Sequence, residues 1–182
     1  MVSVVIVHHN RPQYLLQAIT SIEQQDYTHF EIIIVDDGST DENALTLLGR
    51  LQSAPETLGI AHPVNVIMSV NRYLGAARNL GVKAANGDYV FFLDDDNYAK
   101  EHSISTYVKV AQMTGADDIT AGHEVFVGDA VPDIANVTTV WVPLGPSVSL
   151  GLFQNCFGNA NFFVKKSAFL EGKKCSRQCL TI

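Results

Sequence analysis

Three consecutive carboxylates, Asp94-Asp95-Asp96, followed by Asn97, stand directly after Tyr89-Val90-Phe91-Phe92-Leu93, an apolar run that reads as a buried strand. Burying charge without a partner is expensive, so something positive is expected beside them. A hard divalent cation such as Mg2+ or Mn2+ takes oxygen ligands and is commonly held by one or two carboxylates together with nucleotide phosphates. The run therefore reads as a metal-bridged diphosphate site. The plainer alternative is a solvated turn in which Asp96 or Asn97 caps the next helix.

Three further blocks accompany it. They are Val2-Ser3-Val4-Val5-Ile6-Val7-His8-His9-Asn10-Arg11-Pro12, Ile32-Ile33-Ile34-Val35-Asp36-Asp37-Gly38-Ser39-Thr40-Asp41, and Asn71 to Gly81 with Gly75, Ala76, Ala77, Arg78 and Asn79. In this order and spacing the four blocks resemble family 2 glycosyltransferases, the inverting GT-A enzymes that use nucleotide-sugar donors. The resemblance covers roughly residues 2 to 171.

The resemblance implies a role for each block. Asp37 holds the position that accepts a hydrogen bond from the imide N–H of uracil, whereas Asp36 is structural; a helix-capping role for Asp37 is the alternative, which Ser39 or Asp41 fills as well. His9 takes the aromatic place beside the nucleobase, with Val7 and Asn10 also lining the nucleotide-sugar pocket, while His8 is packing. A shared metal for the two histidines is disfavoured, because adjacent residues on a strand point to opposite faces. Asn71 and Gly75 match positions that shape the pocket, and Arg78 is a donor-binding residue, a salt bridge to one of the carboxylates being compatible with that role. The family's Asp-x-Asp motif has two registers here, and Asp96, common to both, is assigned as the Mn2+ or Mg2+ ligand. Asp95 or Asp94 faces the ribose or coordinates through water. The cation would neutralise charge on the departing nucleoside diphosphate.

The elements that must position these residues follow from periodicity. Short β-branched runs alternate with amphipathic stretches, the pattern of βα units around a mainly parallel sheet. Strands are expected at about 2 to 8, 30 to 36, 64 to 70 and 88 to 93, and helices at about 12 to 25, 41 to 53 and 73 to 86. A helix near 100 to 114 and strands near 119 to 127, 138 to 142 and 160 to 165 complete the chain. The small residues from Gly75 to Gly81 let their helix press against the sheet. In an open α/β sheet ligands sit beyond the carboxyl ends of the strands, where every block falls. The fold class is thus α/β, a Rossmann-like, mainly parallel sheet flanked by helices, for which the resemblance implies the GT-A fold. One domain spans 1 to 172, with a nucleotide-binding half to about 98 and an acceptor-side half from 99 to 172.

Composition narrows the function classes. A net charge of −7 argues against a nucleic-acid surface, which needs clustered Lys and Arg. No apolar run approaches the roughly 18 to 20 residues that span a bilayer and the start is strand-like, so the default is a cytoplasmic protein with peripheral membrane contact allowed. Cys156, Cys175 and Cys179 are an odd number without a CxxC pair, which favours neither disulfides nor zinc. His123 and Trp141 read as ordinary packing.

The second half should build the acceptor site, for an unidentified glycan, lipid-linked or protein acceptor. Residues 142 to 158 read as a Gly/Pro-rich loop, and Gly158 to Phe163 with Lys165, Lys166 and Ser167 match the family's strand and helix start beside the acceptor. After Gly172 the chain departs from the family. Lys173 to Ile182 stand where the resemblance implies a Gly-Phe-Asp turn and an acidic catalytic base, and this tail is expected to be disordered. Nothing in the spacing of Asp117, Asp118, Glu124, Asp129 and Asp133 selects one as base. A truncated or altered chain is therefore expected, retaining donor binding with transfer slower by about 10² to 10⁴. The alternatives are a non-catalytic nucleotide-sugar-binding domain and an NAD(P)-dependent oxidoreductase. The second is disfavoured because His8 to Gln13 lack the GxGxxG turn.

Overall fold

The computed structural model describes residues 1–128, 136–143 and 161–171, with the backbone of 179–181. Its sheet begins with four parallel strands, β1 (Val2–His8), β2 (Phe30–Asp37), β3 (Val64–Ser69) and β4 (Tyr89–Asp94). Between them run α1 (Pro12–Glu23), α2 (Glu42–Ser53) and α3 (Tyr73–Ala84), followed by α4 (Ser103–Thr114). Beyond β4 the sheet turns mixed. Strand β5 (Asp118–Thr120) precedes a separate antiparallel ribbon of β6 (His123–Phe126) and β7 (Val137–Trp141). Strand β8 (Phe162–Lys165) then inserts antiparallel between β4 and β5, ahead of the short α5 (Lys166–Leu170). With β9 (Cys179–Thr181) the sheet order is β3-β2-β1-β4-β8-β5-β9.

Alternation along the central strands feeds two cores, which is why these strands read as continuously apolar. Val4, Ile6, Ile32 and Ile34 point to one face, against Leu15, Ile19, Leu48 and Ile104 from α1, α2 and α4. Val5, Ile33, Val35 and Phe92 point to the other, against Ala77 and Val82 of α3 and Phe169 of α5. Both faces of β1, β2 and β4 are thereby dry, leaving the strand ends as the places where polar chemistry meets solvent.

Three expectations are corrected. The single strand over 119 to 127 divides at Ala121-Gly122 into β5 and β6, which belong to different sheets. Disorder across 173 to 182 does not hold for Cys179–Thr181, which pairs in parallel with β5, Leu180 opposite Ile119. The unpaired backbone groups of an edge strand are a template for such an addition. Residues 172–178 and 182 lie outside the described residues, as do Asp129, Asp133 and most of the loop at 142 to 158. Finally, the small residues of α3 do not all serve packing. A Cβ on Gly81 would collide with Val5 Cγ1 and stand 3.3 Å from Val35 Cγ2, whereas one on Gly75 would meet nothing within 4 Å.

Helix α3 also starts under strain. Tyr73 has φ +66, a left-handed conformation unusual for a bulky side chain, and the residue is 83% exposed.

The Gly81 contact generates a prediction. Gly81→Val should destabilise the fold by about 1–3 kcal/mol through overpacking against Val5, whereas Gly75→Ala should be neutral or slightly stabilising. Urea denaturation of both variants checks this; equal midpoints would mean that α3 is not held by that close approach.

Candidate functional site

The parallel register carries the site's geometry. Val7 lies opposite Asp94 across the β1–β4 ladder, so the residues just beyond, His8 and Asp95, emerge side by side. His8 Nδ1 donates to Asp95 Oδ2 at 2.9 Å, both side chains being fully buried. The sequence reading of His8 as mere packing is thus corrected: the imidazole is a polar partner of the acidic cluster, and its Nε2 is buried without a hydrogen-bond partner.

The rest of the cluster is compensated in the same way. Arg11, at the N-cap of α1, forks across two carboxylates, with Nη2 on Asp95 Oδ1 and Nη1 on Asp96 Oδ2 at 2.6 Å. Burial lowers the guanidinium's proton affinity, but the charges of Asp95 and Asp96 outweigh it and the pKa moves up. From the opposite side of the sheet, Arg78 of α3 donates to Asp94 Oδ1 at 2.7 Å and lies 5.6 Å from the centre of the Phe92 ring. Burial raises the Asp94 pKa in spite of that ion pair. The backbone N–H of Asp94 donates to Asn161 Oδ1 at 2.9 Å, which ties the cluster to the start of β8.

The positive charge that the sequence demanded therefore arrives first as two arginines distant in the chain, Arg11 and Arg78, with the His8 imidazole as a further hydrogen-bonding partner. Among the described residues no group of three His, Cys, Asp or Glu converges on one point as a metal cage. The donor set nevertheless suits a hard cation. Asp96 is the most exposed of the three carboxylates, at 42% against 23% for Asp94 and 1% for Asp95, and gives only Oδ2 to Arg11. One such carboxylate plus phosphate oxygens is the usual setting for Mg2+.

A second polar cluster gathers at the ends of β1 and β2. Asp41 caps α2 by accepting from Ala44 N at 2.8 Å, so Asp37 is not the cap. Asp36 closes its own turn, accepting from Ser39 N at 3.0 Å and from the Ser39 hydroxyl. Asp37, almost buried, accepts at Oδ1 from Arg72 N at 2.7 Å, drawing the β3–α3 loop towards it. A Cβ on Gly38 (φ +77) would stand 2.7 Å from Asn71 N, so this approach needs glycine. His9 Nδ1 donates to Asp37 O at 3.0 Å. Asn10, at φ +55, stitches the two loops together: its Oδ1 accepts from Thr40 N at 2.7 Å and Asp41 N at 2.9 Å.

The candidate residues thus fall into two groups. Arg78, Asp94, Asp95 and Asp96 lie in one ion-pair cluster, while His9, Asn10, Asp37 and Asn71 share the other loop cluster; Val7 is the penultimate residue of β1, opposite Asp94, and Gly75 stands exposed on the first turns of α3. A crevice of about 760 Å³ opens on the acidic side, its wall including Arg11, Tyr14, Asp96, Tyr98, His123 and Glu124. There Glu124 accepts from Lys100 Nζ at 2.5 Å, and His123 stacks on Trp141 at 5.9 Å between centroids, its pKa lowered by burial. Sequence reasoning missed Arg11, His8 and Asn161. For the first two the available signal was the pairing of β1 with β4, which sets the residues after one strand beside those after the other.

Comparison with known proteins places this geometry. Residues 3–163 match the family model for glycosyl transferase family 2. An uncharacterized glycosyltransferase of Nostoc sp. is 37% identical over 113 residues, 62% of this chain and 33% of its own length. The chain thus spans about a third of that relative. Among solved structures, S. aureus TarS 1-349 in complex with UDP-GlcNAc matches 94% of this chain and 47% of its own, with TM-score 0.69 and 19% identity. The mannosyltransferase PcManGT from Pyrobaculum calidifontis, in complex with GDP-Man and Mn2+, matches 66% of this chain and 34% of its own, with TM-score 0.57 and 19% identity. The shared feature is the GT-A fold.

Asn161 provides the test of how the cluster is held. Asn161→Ala should cost about 1–3 kcal/mol, because the Asp94 N–H loses its acceptor in a half-buried setting. Chemical denaturation measures the loss; an unchanged midpoint would show that β8 does not anchor the end of β4.

Proposed function

The chain belongs to glycosyl transferase family 2, and we propose that it binds a uridine diphosphate sugar and serves sugar transfer to an acceptor hydroxyl, with inversion and with a divalent cation on the diphosphate. The observation that carries this reading is the meeting of four strand ends. Beyond β1, β2 and β3 they form a hydrogen-bonded loop cluster around Asp37, whose Oδ1 is taken by Arg72 N–H; beyond β4 they form a compensated acidic cluster with one exposed member, Asp96. The binding of UDP-GlcNAc by TarS, which shares the fold, supports the choice of nucleotide.

In this reading Asp37 selects the base. Its Oδ1 is engaged by Arg72 N–H, and Oδ2 accepts the imide N–H of uracil. His9, held by Asp37 O, flanks the base, with Val7, Asn10, Asn71 and Gly75 around it. Of Asp95 and Asp94 it is the more exposed Asp94 that faces the ribose side, with Asp95 held behind it by His8 and Arg11, and Arg78 stands ready for a phosphate oxygen while paired with Asp94. Asp96 would hold Mn2+ or Mg2+, which supplies charge neutralisation to the departing diphosphate. The acceptor, a glycan, lipid-linked or protein hydroxyl, enters the crevice of about 760 Å³. A cytoplasmic setting goes with it, at the inner face of a membrane where the acceptor is lipid-linked. None of the described helices is long and apolar enough to cross a membrane.

Calorimetry with UDP tests the reading. Asp37→Asn keeps the acceptor for Arg72 N–H but turns a donor amide towards the base, and should weaken UDP binding about 10- to 150-fold, as a lost hydrogen bond to a charged group implies. Asp96→Asn should remove the dependence of UDP affinity on Mn2+. UDP bound as tightly by Asp37→Asn as by the parent would refute base reading, and parent affinity unaltered by a chelator would refute the metal role.

A further inference from the structure

The Arg11 side chain is the least explained part of the site. It is 46% exposed, yet its guanidinium is committed to two carboxylates at once, the fully buried Asp95 and the exposed Asp96. Asp95 already has a second partner in His8, so Arg11 is not its sole compensation. Asp96 is different: none of the other described residues pairs with it, and its carboxylate is the one a hard cation would use. A cation at Asp96 and a guanidinium on Asp96 Oδ2 compete for the same negative charge, repelling each other across a few ångströms.

We propose that Arg11 is a resident counter-cation that keeps Asp96 from taking a divalent metal until a nucleotide diphosphate arrives. Arg11 leaves Asp96 only when the diphosphate offers it other oxygens, which a planar fork of donors recognises well. Asp95, still held by His8, keeps the loop in place during the exchange. The consequence is strong coupling: metal alone binds weakly, and metal with diphosphate binds well. This inference rests on the proposal that a cation bridges Asp96 to the diphosphate.

The experiment titrates Mn2+ into the protein with and without saturating UDP, following free Mn2+ by electron paramagnetic resonance, for the parent, Arg11→Gln and Arg11→Lys. Arg11→Gln should bind Mn2+ alone about 10-fold more tightly, a moderate effect because the arginine is half exposed. The factor by which UDP tightens Mn2+ binding should fall by about 10-fold in the same variant. Arg11→Lys, which keeps the charge but loses the fork, should lie between. Circular dichroism confirms folding, and should the glutamine variant unfold, the lysine variant against the parent decides. Equal affinities for Mn2+ alone in parent and variants, alongside Mn2+-dependent UDP binding in the parent, would overturn the role of Arg11 and leave the metal reading intact. UDP binding that ignores Mn2+ in the parent would overturn both.

Discussion

Electroneutrality at the end of β4 is the constraint on which the site is built. Three adjacent carboxylates cannot be drawn to the edge of a dry sheet without compensation, and the fold supplies two guanidinium groups and an imidazole: Arg78 pairs with Asp94, Arg11 is shared between Asp95 and Asp96, and His8 hydrogen-bonds Asp95. These partners come from β1, the start of α1 and α3, so the contacts also fix how those elements meet. A cluster that would repel itself instead acts as a junction, and removing one partner leaves the others under-compensated rather than merely unbonded.

The sheet distributes two kinds of work along its carboxyl edge. At β1 and β2 the polar groups are mostly turned on one another, Asn10 on the β2–α2 loop and Asp36 on its own turn, producing a stiff rim with few oxygens left over. At β4 the polar groups are ion pairs reaching across longer distances, one of them half exposed. Hydrogen bonding therefore governs the β1–β2 end of the carboxyl edge and charge governs the β4 end.

Much of this was legible in the sequence. Continuous apolar runs ending in Asp37 and Leu93 announced buried parallel strands, and the glycosyltransferase resemblance followed from the blocks at their ends. Asp41 as the true cap of α2 was open as an alternative and is realised. What was hidden were contacts between residues far apart in the chain. Arg11 was in plain view, but its partners lie 84 and 85 residues away and depend on which strand β1 pairs with. Asn161, 67 residues from Asp94, depends on β8 running antiparallel into a sheet whose other neighbours are parallel. Glycine misled for a related reason: its small size signals close packing at Gly81 and nothing of the kind at Gly75, and only the orientation of α3 separates them.

The left-handed Tyr73 at the head of α3 has a mechanical meaning. A side-chain-bearing residue held there stores on the order of 1–2 kcal/mol, and the next turn of the same helix carries Arg78 towards the acidic cluster. The helix is thus clamped at its far end by Gly81 against Val5 and sprung at its near end. Motion that returns residue 73 to an ordinary conformation recovers that local strain and so offsets part of what disturbing the surrounding contacts costs when the near end of the helix moves.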